Sequence, residues 1–260
     1  MDKGSIIKIN YVERVKTTGR VTETNIESVA KDAGIFDSDN PSRYRPTPTV
    51  VGSGRPTKGV DEALLGMQVG EKKRLQVPPE KAFGPRNPRL MDHVPMSSFI
   101  KQGVRPVRGL PVRTRRGLAI VRSTTGGRIM LDYNHPLAGQ TLDCDVEVTG
   151  LAKDLETKIR WLIEMRLPGI PSESHLIQIS GNKLVVELNS GELSKQILER
   201  LQPIVRQEIL DHIPEVTEVS FGPVEMAEVP TGGTEQGGER PADAGRPPTE
   251  TSPNANEGTG

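Results

Sequence analysis

A single cysteine, Cys144, in 260 residues leaves no partner for an internal disulfide and no set of thiolates for a metal cluster, a usage that suits a reducing compartment. Aromatic residues are scarce at 3%, and the 33% hydrophobic content is that of a soluble chain. Net charge is absent too. Lys plus Arg and Asp plus Glu number 34 each, so no global field recruits nucleic acid or a membrane, and such a partner would need a local patch. No long apolar run is present. The opening MDKGSIIKINYVERV is too short and too interrupted for a signal peptide or a membrane span, and a cytoplasmic location is expected. The histidines, His93, His135, His175 and His212, are scattered without ligand spacing, so neither metal nor cofactor is expected.

The length is sufficient for more than one core. Residues 6–15 alternate Ile7, Ile9 and Tyr11 with Lys8 and Asn10, the pattern of a half-buried strand. A second strand is expected over 21–26 and a short helix over 26–33. Residues 37–48, DSDNPSRYRPTP, read as a surface loop whose three prolines deny the backbone a regular ladder. In 59–70, Val60, Ala63, Leu64 and Met67 fall at helical spacing, with Asp61 and Glu62 in the first turn and Gly66 and Gly70 shaping its end. Alternation returns in 72–77. It is cleanest in 142–149, where Leu142, Cys144, Val146 and Val148 define one face of an antiparallel strand.

Between these halves, residues 87–134 carry strand-like runs at 104–107, 110–114, 118–123 and 128–132, punctuated by glycine, and form a small β-rich lobe. From 99 to 131 there are eight basic residues and no acidic one. Such a run is either a solvated face or an attractor of acidic nascent chains or ribosomal RNA. Beyond Gly150 the pattern changes to helix at 154–167, two strands about Gly181 and Asn182, a helix over 193–213 that Pro203 should kink or divide, and a strand over 216–221. This is an α/β module of 154–226. The tail of 227–260, poor in apolar residues, is expected to be disordered.

The segments GVDEALLGMQVGEKKRLQVPPEKAFG and HPLAGQTLDCDVEVTG together resemble the core of FKBP-type peptidyl-prolyl isomerases, and the stretch between them sits where the SlyD-like branch carries its chaperone insert. The resemblance covers about residues 1–151, and the further C-terminal module resembles that of the long archaeal type. It implies an α+β fold: an FKBP-like antiparallel sheet with a short helix, formed by 1–86 and 135–151 and interrupted by the insert lobe of 87–134. The α/β C-terminal domain and the disordered tail follow.

Prolyl isomerisation needs no nucleophile. Its barrier of about 18–20 kcal/mol comes from amide resonance. A cleft that excludes water favours the less dipolar, twisted amide, and a few hydrogen bonds hold the substrate. Carried across residue by residue, the resemblance gives Tyr11, Glu23 and Phe83 the catalytic places. Thr22, Pro56, Thr57, Val60, Leu137, Ala138 and Cys144 take the substrate-binding ones. Glu23 stands where the family usually has aspartate, Phe83 replaces a tyrosine, and Cys144 replaces a wall phenylalanine. Val60 and Cys144 read equally as core residues, and Tyr11 as plain packing. Cys144 lies between two carboxylates with no histidine close in sequence, which argues against a nucleophile.

In the insert, Leu90, Val94, Phe99, Leu110 and Leu118 form either an exposed chaperone patch, as the resemblance implies, or the lobe's own small core. The expected activity is peptidyl-prolyl isomerisation with chaperone action on unfolded or nascent polypeptides. The alternative is a non-catalytic polypeptide-binding module with a degenerate pocket. Ribosome contact through the basic insert and a homodimer through the C-terminal domain are further expectations.

Overall fold

In a computed structural model the chain is described at residues 1–189 and 194–223, so the expected disordered tail of 227–260 and the last residues of the 154–226 module lie outside the described residues. The first sheet is antiparallel, built from β1 (Ile6–Val15), β2 (Val21–Thr24), β3 (Thr47–Val50), β4 (Lys72–Val77) and β9 (Leu142–Leu151) in the order β2-β1-β9-β4, with β3 also on β1. The central strand β1 pairs with β9 from Ile7 to Val15. Its other edge is divided: Ile6 to Ile9 pair with β3, and Val12 to Arg14 pair with β2.

Asn25 fills the gap between these two partners. Its Oδ1 accepts from the N–H of Tyr11 at 2.8 Å and its Nδ2 donates to the carbonyl of Ile9 at 2.8 Å. The backbone at this break would otherwise carry unsatisfied groups. Strand β3 arises where the proline count pointed to a loop. It lies at the sheet's edge, where Pro48 opposite Lys8 removes no bond that a further neighbour would need.

Helix α1 (Glu27–Asp32) follows β2, and α2 (Lys58–Leu64) packs Val60 and Leu64 onto one face of the sheet. Gly59 makes the close approach of α2 possible, since a Cβ there would stand 2.5 Å from a methyl of Val77 on β4. Asp61, buried on α2, accepts from the N–H groups of Gly52 and Gly54 at 2.8 Å each, tying the preceding loop to the helix.

The insert is a four-stranded sheet, β5 (Met91–Pro95), β6 (Pro111–Thr114), β7 (Gly117–Thr125) and β8 (Arg128–Asp132), in the order β5-β8-β7-β6, with a short helix α3 (Met96–Ile100). Residues 104–107, expected as strand, have no regular structure. Pro106 interrupts that run, and β5 takes the vacant place in the sheet. Val112, Ala119, Val121, Ile129 and Leu131 form the lobe's core.

The C-terminal module contains α4 (Leu155–Arg166), β10 (Leu176–Ser180), β11 (Lys183–Glu187), α5 (Lys195–His212) and β12 (Glu218–Phe221). Strands β10 and β11 form the expected hairpin, and β12 runs parallel to β11. Helix α5 continues through Pro203 instead of dividing there, held by Val205 and Ile209 buried on the same core as Ile159, Leu162 and Ile163 of α4. That core also takes in Ile6 of β1 and Val50 of β3, whereas Ile7 faces the first domain's own core. The C-terminal core therefore extends onto β1 and β3, while the neighbouring residues Ile7 and Val51 belong to the first domain's core. Among the described residues no helix is long and apolar enough to cross a membrane.

Candidate active site

Tyr11 lies on β1, 9% exposed, with its backbone fixed on both sides: Asn25 accepts from its N–H, and Thr24 Oγ1 donates to its carbonyl at 2.8 Å. Its hydroxyl donates to Glu23 Oε1 at 3.2 Å. Burial above all, then the nearby Glu23 and Glu13 carboxylates, push the Tyr11 hydroxyl well above the usual phenol range, so it remains a donor at any physiological pH. Arg43 approaches Glu23 at 3.8 Å.

Two cavities adjoin this pair. One, of about 440 Å³, is bordered by Tyr11, Glu23, Arg43 and Pro56 and also by Glu164 and Met165 of α4. The other, of about 580 Å³, is bordered by Thr22, Glu23, Ile35, Phe83, His135 and Leu137. Glu23 borders both. The structure thus spreads the expected site residues over two cavities: Tyr11 and Pro56 on one, Thr22, Phe83 and Leu137 on the other. Thr57, Val60, Ala138 and Cys144 border neither, and are 5%, 0%, 3% and 1% exposed, which places Val60 and Cys144 in the core. Burial, followed by the carboxylates of Glu13, Asp143 and Asp145, pushes the Cys144 thiol up to about 12, so it stays protonated and unreactive.

The two family segments meet at Phe83. Its ring stacks on His135 with centroids 4.2 Å apart. The turn beneath is closed by Gly84 N–H to the Pro79 carbonyl at 2.7 Å and by Gly139 N–H to the Gly84 carbonyl at 2.8 Å. The insert begins and ends beside this corner. Asn87 N–H donates to Asn134 Oδ1 at 2.8 Å, and Asn134 Nδ2 donates back to the Asn87 carbonyl at 3.0 Å. Asp132, almost fully buried, receives Arg122 at 2.8 Å and pairs with Arg86.

Of the five residues singled out in the insert, Leu118 is exposed, Leu90 is half-buried, and Val94, Phe99 and Leu110 pack onto the lobe's core. Further open apolar surface lies elsewhere in the lobe. Ile100 and Val107 are 61% and 51% exposed and, with Met96, Val104 and Pro106, border a groove of about 680 Å³ flanked by Arg105 and Arg108. The expectation of a strand at 104–107 conceals this groove, since alternation would turn half of those side chains inward. Among the described residues two of the eight basic side chains are engaged by acids, Arg116 by Asp92 at 2.7 Å and Arg122 by Asp132.

Sequence reasoning gave no site role to Glu13, Asn25, Asp61 or Asp132, all buried. For Glu13 a signal was present, because it takes an apolar position in the alternation of β1; the other three satisfy partners that only the fold reveals.

The model of FKBP-type peptidyl-prolyl cis-trans isomerase matches residues 1–100, and that described as the FKBP26 IF domain matches residues 93–137. The chain is 34% identical over 146 residues to a short-type peptidyl-prolyl cis-trans isomerase of Methanocaldococcus jannaschii, covering 56% of this chain and 90% of that protein. It is 35% identical over 134 residues to a probable FKBP-type 16 kDa isomerase of Pseudomonas fluorescens, covering 50% and 89%. Against the SlyD isomerase of Helicobacter pylori the identity is 29% over 140 residues, covering 52% and 75%. With the split sheet, the joined Phe83 and His135 loops and these relatives together, the chain belongs to the FKBP-type peptidyl-prolyl cis-trans isomerases, a family of enzymes, and carries an IF domain within its fold.

Proposed function

We propose that the protein isomerises Xaa-Pro bonds of unfolded or nascent polypeptides in the cytoplasm, with the split domain turning the bond and the insert holding the chain. The observation that carries this reading is the Tyr11–Glu23 hydrogen bond on the wall between two cavities. There a buried phenol holds, by a hydrogen bond, a carboxylate that borders both cavities, an arrangement that suits the changing charge distribution of a planar amide becoming twisted. The groove at Met96, Ile100, Val104 and Val107 supports a holding role for the insert, since exposed apolar surface of this kind takes up unfolded segments.

The decisive experiment compares isomerisation of a proline-containing peptide with proline-limited refolding of a protein, using the full chain. Turnover on both, with higher efficiency on the protein, is the expected result. Binding without turnover would instead favour the non-catalytic module, the reading to which Phe83 without a hydroxyl and the burial of Val60 and Cys144 lend weight.

A further inference from the structure

Strand β1 turns Ile7, Ile9, Tyr11 and Val15 into the core beneath α2, and Glu13 occupies the next place in that alternating row. Glu13 is 1% exposed, and its Oε1 has no hydrogen-bond partner among the described residues. A carboxyl in such a place adds no packing that an aliphatic chain would not supply better, and its ionised form is strongly disfavoured there.

Its neighbours across the sheet give it a use. Glu13 stands opposite Glu23 on β2 and opposite Cys144 on β9, so the three form a row across adjacent strands. Tyr11, two residues along β1, donates to that same Glu23. The titratable groups around Glu13 are Glu23 from β2, Cys144 from β9 and Tyr11 from its own strand. Arg43 reaches Glu23 at 3.8 Å, and Arg14 on β1 pairs with Asp145 instead. From α2 the core contributes Val60 and Leu64, both apolar, and His135 is occupied by Phe83. Among the described residues no cation is paired with Glu13 to hold its charge in place.

We propose that Glu13 is a positioning residue for prolyl isomerisation: uncharged, it leaves Glu23 on the Tyr11 hydroxyl, and once ionised it repels Glu23 from that hydroxyl and draws water into the core behind it. The proton it loses goes to solvent. Like charges directly opposite on adjacent strands repel, and Glu23, which is partly exposed beside Arg43, is the member free to move. Burial first and Glu23 second raise the Glu13 carboxyl to about 7, so the change falls at physiological pH. This inference rests on the isomerase reading above.

The test is the pH profile of kcat/KM on a proline-containing peptide, followed by exchange NMR so that no coupling protease intervenes. The wild type should lose roughly tenfold between about pH 6.5 and about pH 8.5. E13Q, which cannot ionise, should stay within about twofold across that range. E13M, with an apolar chain of similar length, should be equally flat and serves if E13Q does not fold. In the wild type, the carboxyl carbon resonance that E13Q or E13M removes should titrate with the same midpoint as activity. An active wild type with a flat profile, a variant that keeps the wild-type fall, or a carboxyl midpoint apart from that of activity would overturn the inference. An enzyme inactive at every pH would instead sink the isomerase reading itself.

Discussion

The ring of Phe83 lies flat on the imidazole of His135, with planes 7° apart and centroids separated by 4.2 Å. This stack, together with the Gly139 to Gly84 backbone hydrogen bond, joins the corner that precedes the insert to the loop that follows it, on the wall of the cavity that Thr22 and Glu23 share.

Phe83→Tyr restores the hydroxyl usual in the family without disturbing the stack. One added neutral hydrogen bond is worth about 0.5–1.5 kcal/mol, so kcat/KM on a proline-containing peptide should rise by about two- to tenfold. Phe83→Ala removes the ring from both cavity wall and stack and should lower it. If neither variant differs from wild type in steady-state kinetics, Phe83 lies outside the working site.

Reciprocal hydrogen bonds between Asn87 and Asn134 put the two ends of the insert side by side. Replacing residues 87–134 by a short loop should therefore leave a cooperatively unfolding protein that retains most of its turnover on short peptides and loses its advantage on unfolded proteins. Arg86 loses Asp132 in this variant but regains water, so its cost is modest. Loss of the unfolding transition in urea would show that the insert is part of the host's core.

Glu13 also makes stability depend on pH. Its carboxyl is raised from 4.5 to about 7 in the folded chain, so the folded state keeps a proton that the unfolded state releases. Stability should then fall as pH rises from about 4.5 to about 7 and remain low above, by of order 3 kcal/mol at about 1.4 kcal/mol per pH unit. Glu13→Gln removes this slope and should be the more stable protein at about pH 8. Urea midpoints across the pH range measure it, and a variant no more stable than wild type there would refute the burial argument.

Glu164 on α4, 3% exposed, faces Lys8 at 3.0 Å and Arg45 at 3.4 Å across the junction with the first sheet. The Lys8 contact is an ion pair more than an aligned hydrogen bond, as the carboxylate oxygen it approaches has no hydrogen-bond donor. Because the cations are partly solvated and the carboxylate is not, removing the cations should cost more than removing the acid. A Lys8→Ala, Arg45→Ala double variant strands a buried charge and should lose about 3–5 kcal/mol, whereas Glu164→Leu should lose well under half of that. Equal losses in denaturant titrations would mean that packing, not charge, governs this junction.

The strands of the host sheet could be read from alternation because each has one apolar and one wet face, as in Leu142, Cys144, Val146 and Val148. What could not be read is whatever depends on partners far along the chain. Strand β3 contains Pro48, tolerable only because the fold leaves it at an edge, and Asn25 takes its meaning from a gap between two other strands. The pocket residues came from family resemblance, which fixes positions along the chain but not depth. Val60 and Cys144 lie below the cavities, since their smaller side chains sit within the core instead of standing up as a wall.

The pairing of β1 with β9 spans almost the whole first domain in sequence, while the insert's four strands pair only with one another, between residues 91 and 132. During synthesis, every residue of the insert's sheet is made before β9, the strand that joins β1 to β4 in the host. The lobe's contacts are local and its host's are not, so the lobe closes early and the host late. A nascent copy of this protein therefore has every strand of the insert's sheet in hand while the host sheet still lacks the strand that joins its halves.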